Sequence, residues 1–256
     1  MTRQQMIDIN ADMGEGFGRW RIADDDALLK IVSSASVACG FHAGDPDTMA
    51  RTFALAKENG VAIGAHPGFA DLAGFGRRQI PHSTGEIERL VAYQVGAAQA
   101  MAALAGHRIT YVKAHGALGN LTETNDDVAA AVTRAVRAVD PSLICLTIAL
   151  GAQHQLCREK GYPVRAEVFA DRGYCGEGRM IPRAEPGAVI TDPAAAAARA
   201  VNMVLSQAIP TREDCMIPTA MDSICIHSDT PAALAIAGAV RAALEKAGIA
   251  IRPFAP

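Results

Sequence analysis

Short apolar runs alternate with helix-length amphipathic segments along the whole chain, and this alternation limits the fold more than any other feature. Parallel strands need crossover connections long enough to hold a helix, so such a pattern belongs to the α/β classes. Seven runs read as strands, at residues 7–10, 36–39, 61–65, 110–113, 143–148, 164–168 and 223–227. Start and stop chemistry marks the helices between them. Asp45 ahead of Pro46 places a side-chain acceptor at the N-cap and a residue without an N–H at the first helical position, and Gly60 follows as the stop. Asp192 with Pro193, and Thr230 with Pro231, repeat the device. Ser83 and Glu86 have capping-box spacing before Ile87, Leu90 and Val91, with Gly106 closing the segment. Asn125 caps a helix running through Val128, Val132, Val136 and Val139 that ends before Pro141.

Seven strands alternating with helices form either an open doubly wound sheet or a closed barrel. An open sheet gathers its functional groups at one crevice from two or three strands. A barrel gathers them from many strand ends around one mouth. Here Asn10, Asp12, Glu15, His42, Asp45, His66, Lys113, His115, Asn120, Glu167, Asp171, Arg172, His227 and Asp229 all lie at or just after C-terminal strand ends, shared among six of the seven strands. The expectation is a single (β/α) barrel domain of about seven parallel strands spanning residues 1–256.

Composition narrows the partners. With 24 Lys and Arg against 27 Asp and Glu the formal charge is −3, and there is no basic run to attract a phosphate backbone or anionic lipid. Nucleic acid and membrane are therefore not expected partners. Residues 1–12 carry Arg3 and two aspartates but no unbroken apolar run, so no signal peptide is read and a cytoplasmic location is expected. The apolar stretch 90–106 is broken by Gln94 and Gln99 and reads as a buried helix, not a membrane span. Six widely spaced cysteines make neither a C-x-x-C pair nor a disulfide frame; Cys39, Cys145 and Cys225 sit in apolar runs as packing.

Each candidate residue has a plain reading beside the functional one. Four of the seven histidines occupy equivalent strand-end positions, which favours function, whereas His82, His107 and His154 read as surface residues. Asp45 is explained as a helix cap and is equally a catalytic candidate. Gly14, Gly16 and Gly18 make a tight turn or offer N–H groups to phosphate, but they form no standard nucleotide loop. Arg77 and Arg78 either fork onto a carboxylate or phosphate or are solvated. Lys113 ends an apolar strand, where desolvation would lower its pKa and make the amine a nucleophile or a close clamp; the alternative is a buried stem with its charge at the mouth. Asp12, His42 and His66 are the residue types a catalytic divalent metal takes.

The segments Asn10-Ala-Asp-Met-Gly-Glu-Gly16, Ala38-Cys-Gly-Phe-His-Ala-Gly-Asp45, Gly64-Ala-His-Pro67, Gly74-Phe-Gly-Arg-Arg78, Val112-Lys-Ala-His-Gly-Ala-Leu118, Glu167-Val-Phe-Ala-Asp-Arg172 and Ile224-Cys-Ile-His-Ser-Asp229 together resemble the LamB/YcsF lactam-utilisation family, the A subunits of bacterial 5-oxoprolinase. The resemblance runs from residue 7 to about 250. It implies a seven-stranded barrel akin to glycoside hydrolases and polysaccharide deacetylases, and ATP-dependent opening of 5-oxo-L-proline to L-glutamate together with subunits B and C. ATP, with magnesium, would be the co-substrate, since an unstrained five-membered lactam hydrolyses slowly. The chain departs from the family pattern at Ala114 (usually Pro), Gly119 (Tyr), Ser228 (Gly) and Thr230 (Asn). A missing aromatic at 119 would widen the pocket or remove a contact.

On this reading Lys113 and Arg172 balance charge on phosphate or oxyanion, and Asp12, His42, His66 and His115 supply general base and acid. Glu167 and Asp171 orient the histidines or hold magnesium. His227 and Asp229 complete the catalytic set. Arg77 or Arg78 binds the substrate carboxylate, with Glu15, Asp45 and Asn120 also binding substrate. Rival readings are a stand-alone metal-dependent amidase or deacetylase using Asp12, His42 and His66, a non-catalytic substrate-presenting subunit, and a Schiff-base enzyme using Lys113.

Overall fold

The computed structural model describes residues 5–230 and 232–255. In chain order its strands are β1 (Met6–Met13), β2 (Ser34–Ala38), β3 (Ala62–His66), β4 (Ile109–Val112), β5 (Ile144–Ile148), β6 (Val164–Phe169), β7 (Ala208–Pro210), β8 (Met216–Pro218), β9 (Ser223–Ile226) and β10 (Ala250–Ile251). Strands β1 to β6 and β9 pair in parallel, and β9 pairs with both β6 and β1, so the sheet closes into a barrel of seven. The open-sheet alternative is thereby removed. All seven expected strands are present. Sequence reading missed β10, which extends the start of β1, and the antiparallel hairpin of β7 and β8.

The helices are α1 (Asp25–Leu28), α2 (Pro46–Glu58), α3 (Thr84–Leu104), α4 (Gly116–Thr124), α5 (Asp126–Val139), α6 (Ala152–Glu159), α7 (Pro193–Ser206) and α8 (Ala233–Lys246). Capping works as expected at four of them. Asp45 Oδ1 accepts from the N–H groups of Asp47 and Thr48, Ser83 and Glu86 form the reciprocal capping box, Asn125 accepts from Val128, and Asp192 from Ala194. The fifth differs. The N-cap of α8 is Ala232, with a left-handed backbone and no side-chain cap, because the Thr230 hydroxyl is turned inward onto Asp171. Pro231 and residues 1–4, including Arg3, lie outside the described residues. Among the described residues no helix is long and apolar enough to cross a membrane.

Strand periodicity of two sorts the side chains into two environments. In β1, Ile7, Ile9, Ala11 and Met13 are fully buried in the apolar layer with Phe53 of α2, Val91 and Val95 of α3 and Val240 of α8. The alternate positions Asp8, Asn10 and Asp12 are equally buried but polar, and their partners lie on other strands. Tyr111 of β4 reaches Ser36 of β2, across the width of β3, through hydroxyls 3.1 Å apart. A Cβ at Gly64 of β3 would lie 2.3 Å from the Tyr111 ring, so a residue without a side chain there lets the ring cross the lumen. The barrel is thus filled with hydrogen-bonded polar groups, and its apolar core is the layer between strands and helices.

Candidate functional site

At the C-terminal end of the lumen Lys113 is 5% exposed and spans four strands. Its Nζ lies 2.8 Å from Asp12 Oδ1, 3.2 Å from Glu167 Oε2, 3.2 Å from Asn10 Oδ1 and 3.0 Å from Cys225 Sγ. Burial works to lower its pKa, but Asp12, the Cys225 sulfur and Glu167 outweigh burial and hold it well above the usual lysine range. Asp12 responds in the opposite sense: burial raises it, and Lys113 and His66 pull it well below the ordinary carboxylate value. The expectation of a depressed, nucleophilic lysine is corrected by this geometry. Lys113 is a fixed ammonium, and the Schiff-base reading loses its basis.

Three histidines stand beside this pair. His66 ends β3, His115 precedes α4, and His42 lies in the connection after β2; all three are buried. His66 Nε2 is 3.0 Å from His115 Nδ1 and 3.4 Å from Asp12 Oδ1. His42 stacks on His115 with 3.7 Å between ring centroids and 5° between planes. Burial and the neighbouring His115 and His66 push His42 well below the ordinary histidine pKa, and burial with His66 does the same to His115. Glu15 sits behind them, its Oε2 accepting from the Ser228 hydroxyl at 2.9 Å. Its Oε1 and both ring nitrogens of His42 have no hydrogen-bond partner among the described residues. Glycines make this closeness possible: a Cβ at Gly68 would lie 2.6 Å from His42 Nδ1, and one at Gly76 2.7 Å from His42 Cβ and 2.8 Å from His115 Cδ2. Glu15, His42, His66 and His115 form a group able to hold a metal ion. Of the expected trio of Asp12, His42 and His66, the two histidines fall in this group with Glu15 and His115, while Asp12 pairs with Lys113 and belongs to a second such group with Cys225 and His227.

On the far side His227 Nδ1 donates to Asp171, whose two oxygens are both 3.0 Å away. Burial raises Asp171, yet His227 and Thr230 leave it below the usual carboxylate value. Asp171 therefore orients His227, whereas Glu167 serves Lys113 and Asn10 and touches no histidine.

Asp12, His66, Lys113, His115, Glu167 and His227 line one basin of about 460 Å³. Arg77, Asn120, Arg172, Arg179 and Arg183 border the same space. Glu15, His42, Asp171 and Asp229 stand behind it; Asp229 pairs with Arg77 at 2.7 Å. Two expected substrate-binding residues lie elsewhere. Arg78 is tied to Asp71, and both oxygens of Asp45 are taken, Oδ1 by α2 and Oδ2 by Thr48 Oγ1 and Gly18 N–H. Arg172 borders the basin, but it donates through Nε to Ala188 O and through Nη2 to Ile181 O, holding the connection between β6 and α7. Gly119 lines the basin, and a Cβ there would lie 2.6 Å from Ala114 O, so the backbone of α4 approaches residue 114 closely. His82, His107 and His154 lie outside the basin. Sequence reading missed Arg179 and Arg183, which come from the connection between β6 and α7, and Glu123 near the end of α4, none of which carries a strand-end signal, and it took Cys225 for packing alone.

Fold and site together define a seven-stranded β/α-barrel protein whose ionisable groups meet at the C-terminal strand ends, where such barrels perform their chemistry. The comparisons with known proteins agree across the full length. The chain belongs to the LamB/YcsF family, whose profile matches residues 7–256. It is 60% identical over 250 residues to a protein of Azorhizobium caulinodans named as the A subunit of 5-oxoprolinase, covering 98% of this chain and 99% of that one. A protein of the same name from Gluconobacter oxydans is 54% identical, covering 96% and 97%. The solved structure of the lactam utilization protein of Thermus thermophilus superposes with a TM-score of 0.92 at 40% identity, covering 98% of this chain and all of that one.

Proposed function

We propose that this chain is the A subunit of an ATP-dependent 5-oxoprolinase, acting in the cytoplasm with subunits B and C to hydrolyse 5-oxo-L-proline to L-glutamate. The full-length likeness to two relatives bearing that name carries the substrate assignment. The basin supports the chemistry. His227, held through Nδ1 by Asp171, offers its Nε2 as general base for water, the arrangement that positions a histidine in hydrolytic triads. The Lys113 ammonium, fixed between two carboxylates, stabilises negative charge growing on the carbonyl oxygen. Arg183 borders the basin and has no ion-pair partner among the described residues, which suits the substrate carboxylate better than Arg78. ATP, with magnesium, would phosphorylate the lactam carbonyl oxygen with release of ADP; one water then adds to that carbon and the ring C–N bond breaks as the nitrogen takes a proton, leaving an acyl phosphate that a second water hydrolyses to glutamate and phosphate. The His and Glu cluster favours one rival, metal-assisted amide hydrolysis by this chain alone.

Reconstitution separates the readings. The A, B and C subunits together release glutamate from 5-oxoproline only with ATP, and His227→Asn in this chain lowers that rate by about 10²-fold or more. Hydrolysis by this chain alone without ATP would establish the amidase reading instead. Full activity of the His227→Asn assembly would leave it with a presenting role only.

A further inference from the structure

We infer that His66, His115 and Glu15 bind a divalent transition-metal ion of the zinc class at the wall of the basin, with His42 beside it. The argument starts from where the imidazole hydrogens must be. His66 Nδ1 lies 2.8 Å from the carbonyl oxygen of Lys113, and His115 Nε2 lies 2.8 Å from that of Phe75. A carbonyl oxygen only accepts, so each ring donates its N–H there, and a neutral imidazole has a single N–H to give. The nitrogens left over, His66 Nε2 and His115 Nδ1, are therefore both bare, and they face one another at 3.0 Å. Two buried lone pairs at that distance repel unless a positive centre lies between them.

A shared proton would answer for these two nitrogens and nothing else. Glu15 Oε1, 3.6 Å from His115 Nδ1, would stay buried without a partner. Orphaned polar atoms of this kind are costly, and the Glu15 oxygen lies close to the two bare nitrogens of His66 and His115, which calls for a common partner. A cation meets the requirement. With metal–ligand bonds near 2.1 Å, a tetrahedral ion separates its donors by about 3.4 Å, and the observed 3.0 Å from His66 to His115 and 3.6 Å from His115 to Glu15 fall on either side of that figure. Imidazole nitrogens with one carboxylate suit zinc and its neighbours, whereas magnesium and calcium take oxygen. The two carbonyls that fix the tautomers act as the outer hydrogen-bond partners that orient metal-binding histidines. His42 is the weakest donor. Its ring is parallel to that of His115 within 5°, so their lone pairs run along parallel planes and do not meet at one ion. Three protein ligands with an open position follow, which is the form of catalytic zinc sites. His66 and His115 both line the basin, so the ion borders it.

The test reads metal on this chain alone and does not depend on the proposed function, which is assayed separately as glutamate release by the assembly. The chain is stripped with chelator and dialysed against zinc, cobalt(II) or magnesium, followed by elemental analysis, visible spectroscopy of the cobalt form and thermal unfolding. The expected result is one zinc or cobalt per chain, an intense four-coordinate cobalt spectrum, a raised Tm with zinc and none of these with magnesium. His66→Ala, His115→Ala and Glu15→Gln each lose affinity about tenfold or more, with His42→Ala losing less and His227→Asn nothing. If an alanine variant fails to fold, His115→Gln and circular dichroism replace it. Failure of the wild-type chain to take up zinc or cobalt, uptake unchanged in all three ligand variants, or nitrogen NMR showing an imidazolium shared by His66 and His115 in the loaded chain, would each overturn the inference.

Discussion

The ε-ammonium of Lys113 is enclosed by protein yet charged, because Asp12 and Glu167 approach it from two other strands at 2.8 and 3.2 Å. Removing one member of a buried ion pair leaves the others uncompensated and typically costs about 3–5 kcal/mol. Lys113→Met should therefore abolish turnover and also lower the unfolding free energy by about that amount, measured by urea denaturation. Adding Asp12→Asn should restore part of the loss, since the double variant no longer confronts two carboxylates. A Lys113→Met chain as stable as wild type would show that the ammonium is not the centre of this network. The neighbouring departures from the family pattern also act at this scale. Ser228 donates to Glu15 beside the histidine cluster and Thr230 to Asp171, which orients His227, and neither lines the basin.

Strand β1 carries the most chemistry of any element, and its sequence understates its length. The alternation Ile7, Ile9, Ala11, Met13 against Asp8, Asn10, Asp12 looks like a strand with one wet face, so Asn10 seems to mark its end. In a closed barrel both faces are buried, and the polar face becomes the lumen. The positions of the polar residues are therefore legible, but not that they are bonded to one another across the interior; closure is a long-range fact that no local pattern encodes. Asp8 shows the consequence. The Ser33 and Ser34 hydroxyls, at 2.6 and 2.7 Å, and that of Ser223 all donate to it, stitching β1 to the strands on both sides. Burial nevertheless raises its pKa to about 6 from 3.8. The folded state thus holds the Asp8 proton more tightly than the unfolded chain. Its contribution to stability is complete below the unfolded pKa and is lost as pH rises through about 6, a difference of about 3 kcal/mol. Asp8→Asn cannot titrate, so the unfolding free energy of wild type relative to this variant should fall by roughly that amount between about pH 4 and pH 7. Parallel pH profiles for the two chains would show that Asp8 does not bind its proton more tightly in the fold.

For the molecule as a whole, the barrel fixes the floor and walls of the basin, and the long connection between β6 and α7 supplies its outer side. Helix caps and strand runs are legible because each depends only on neighbouring residues. This connection is not, since its path is set by bonds to Arg172 and by isolated bridges between Arg172 and Val189 and between Tyr174 and Met180. The strand-end position of Arg172 suggests that it faces reacting charge. Burial and nearby Arg183 lower its pKa to about 10, so it remains a cation near neutral pH, but two arms of its guanidinium donate to the carbonyls of Ile181 and Ala188. Met180, Ile181, Pro182 and Arg183 border the basin from this same connection. If Arg172 acts chiefly as its clamp, Arg172→Ala should loosen the connection, speed tryptic cleavage after Arg179 and Arg183, and raise KM about tenfold with a smaller change in kcat, because the substrate would meet a less ordered wall. Arg172→Lys should not rescue, as a single ammonium cannot reproduce the planar fork that spans two carbonyls. The opposite pattern, a collapse of kcat with unchanged KM and unchanged proteolysis, would place Arg172 on the charge that develops during the reaction and leave the connection held by its backbone bridges alone.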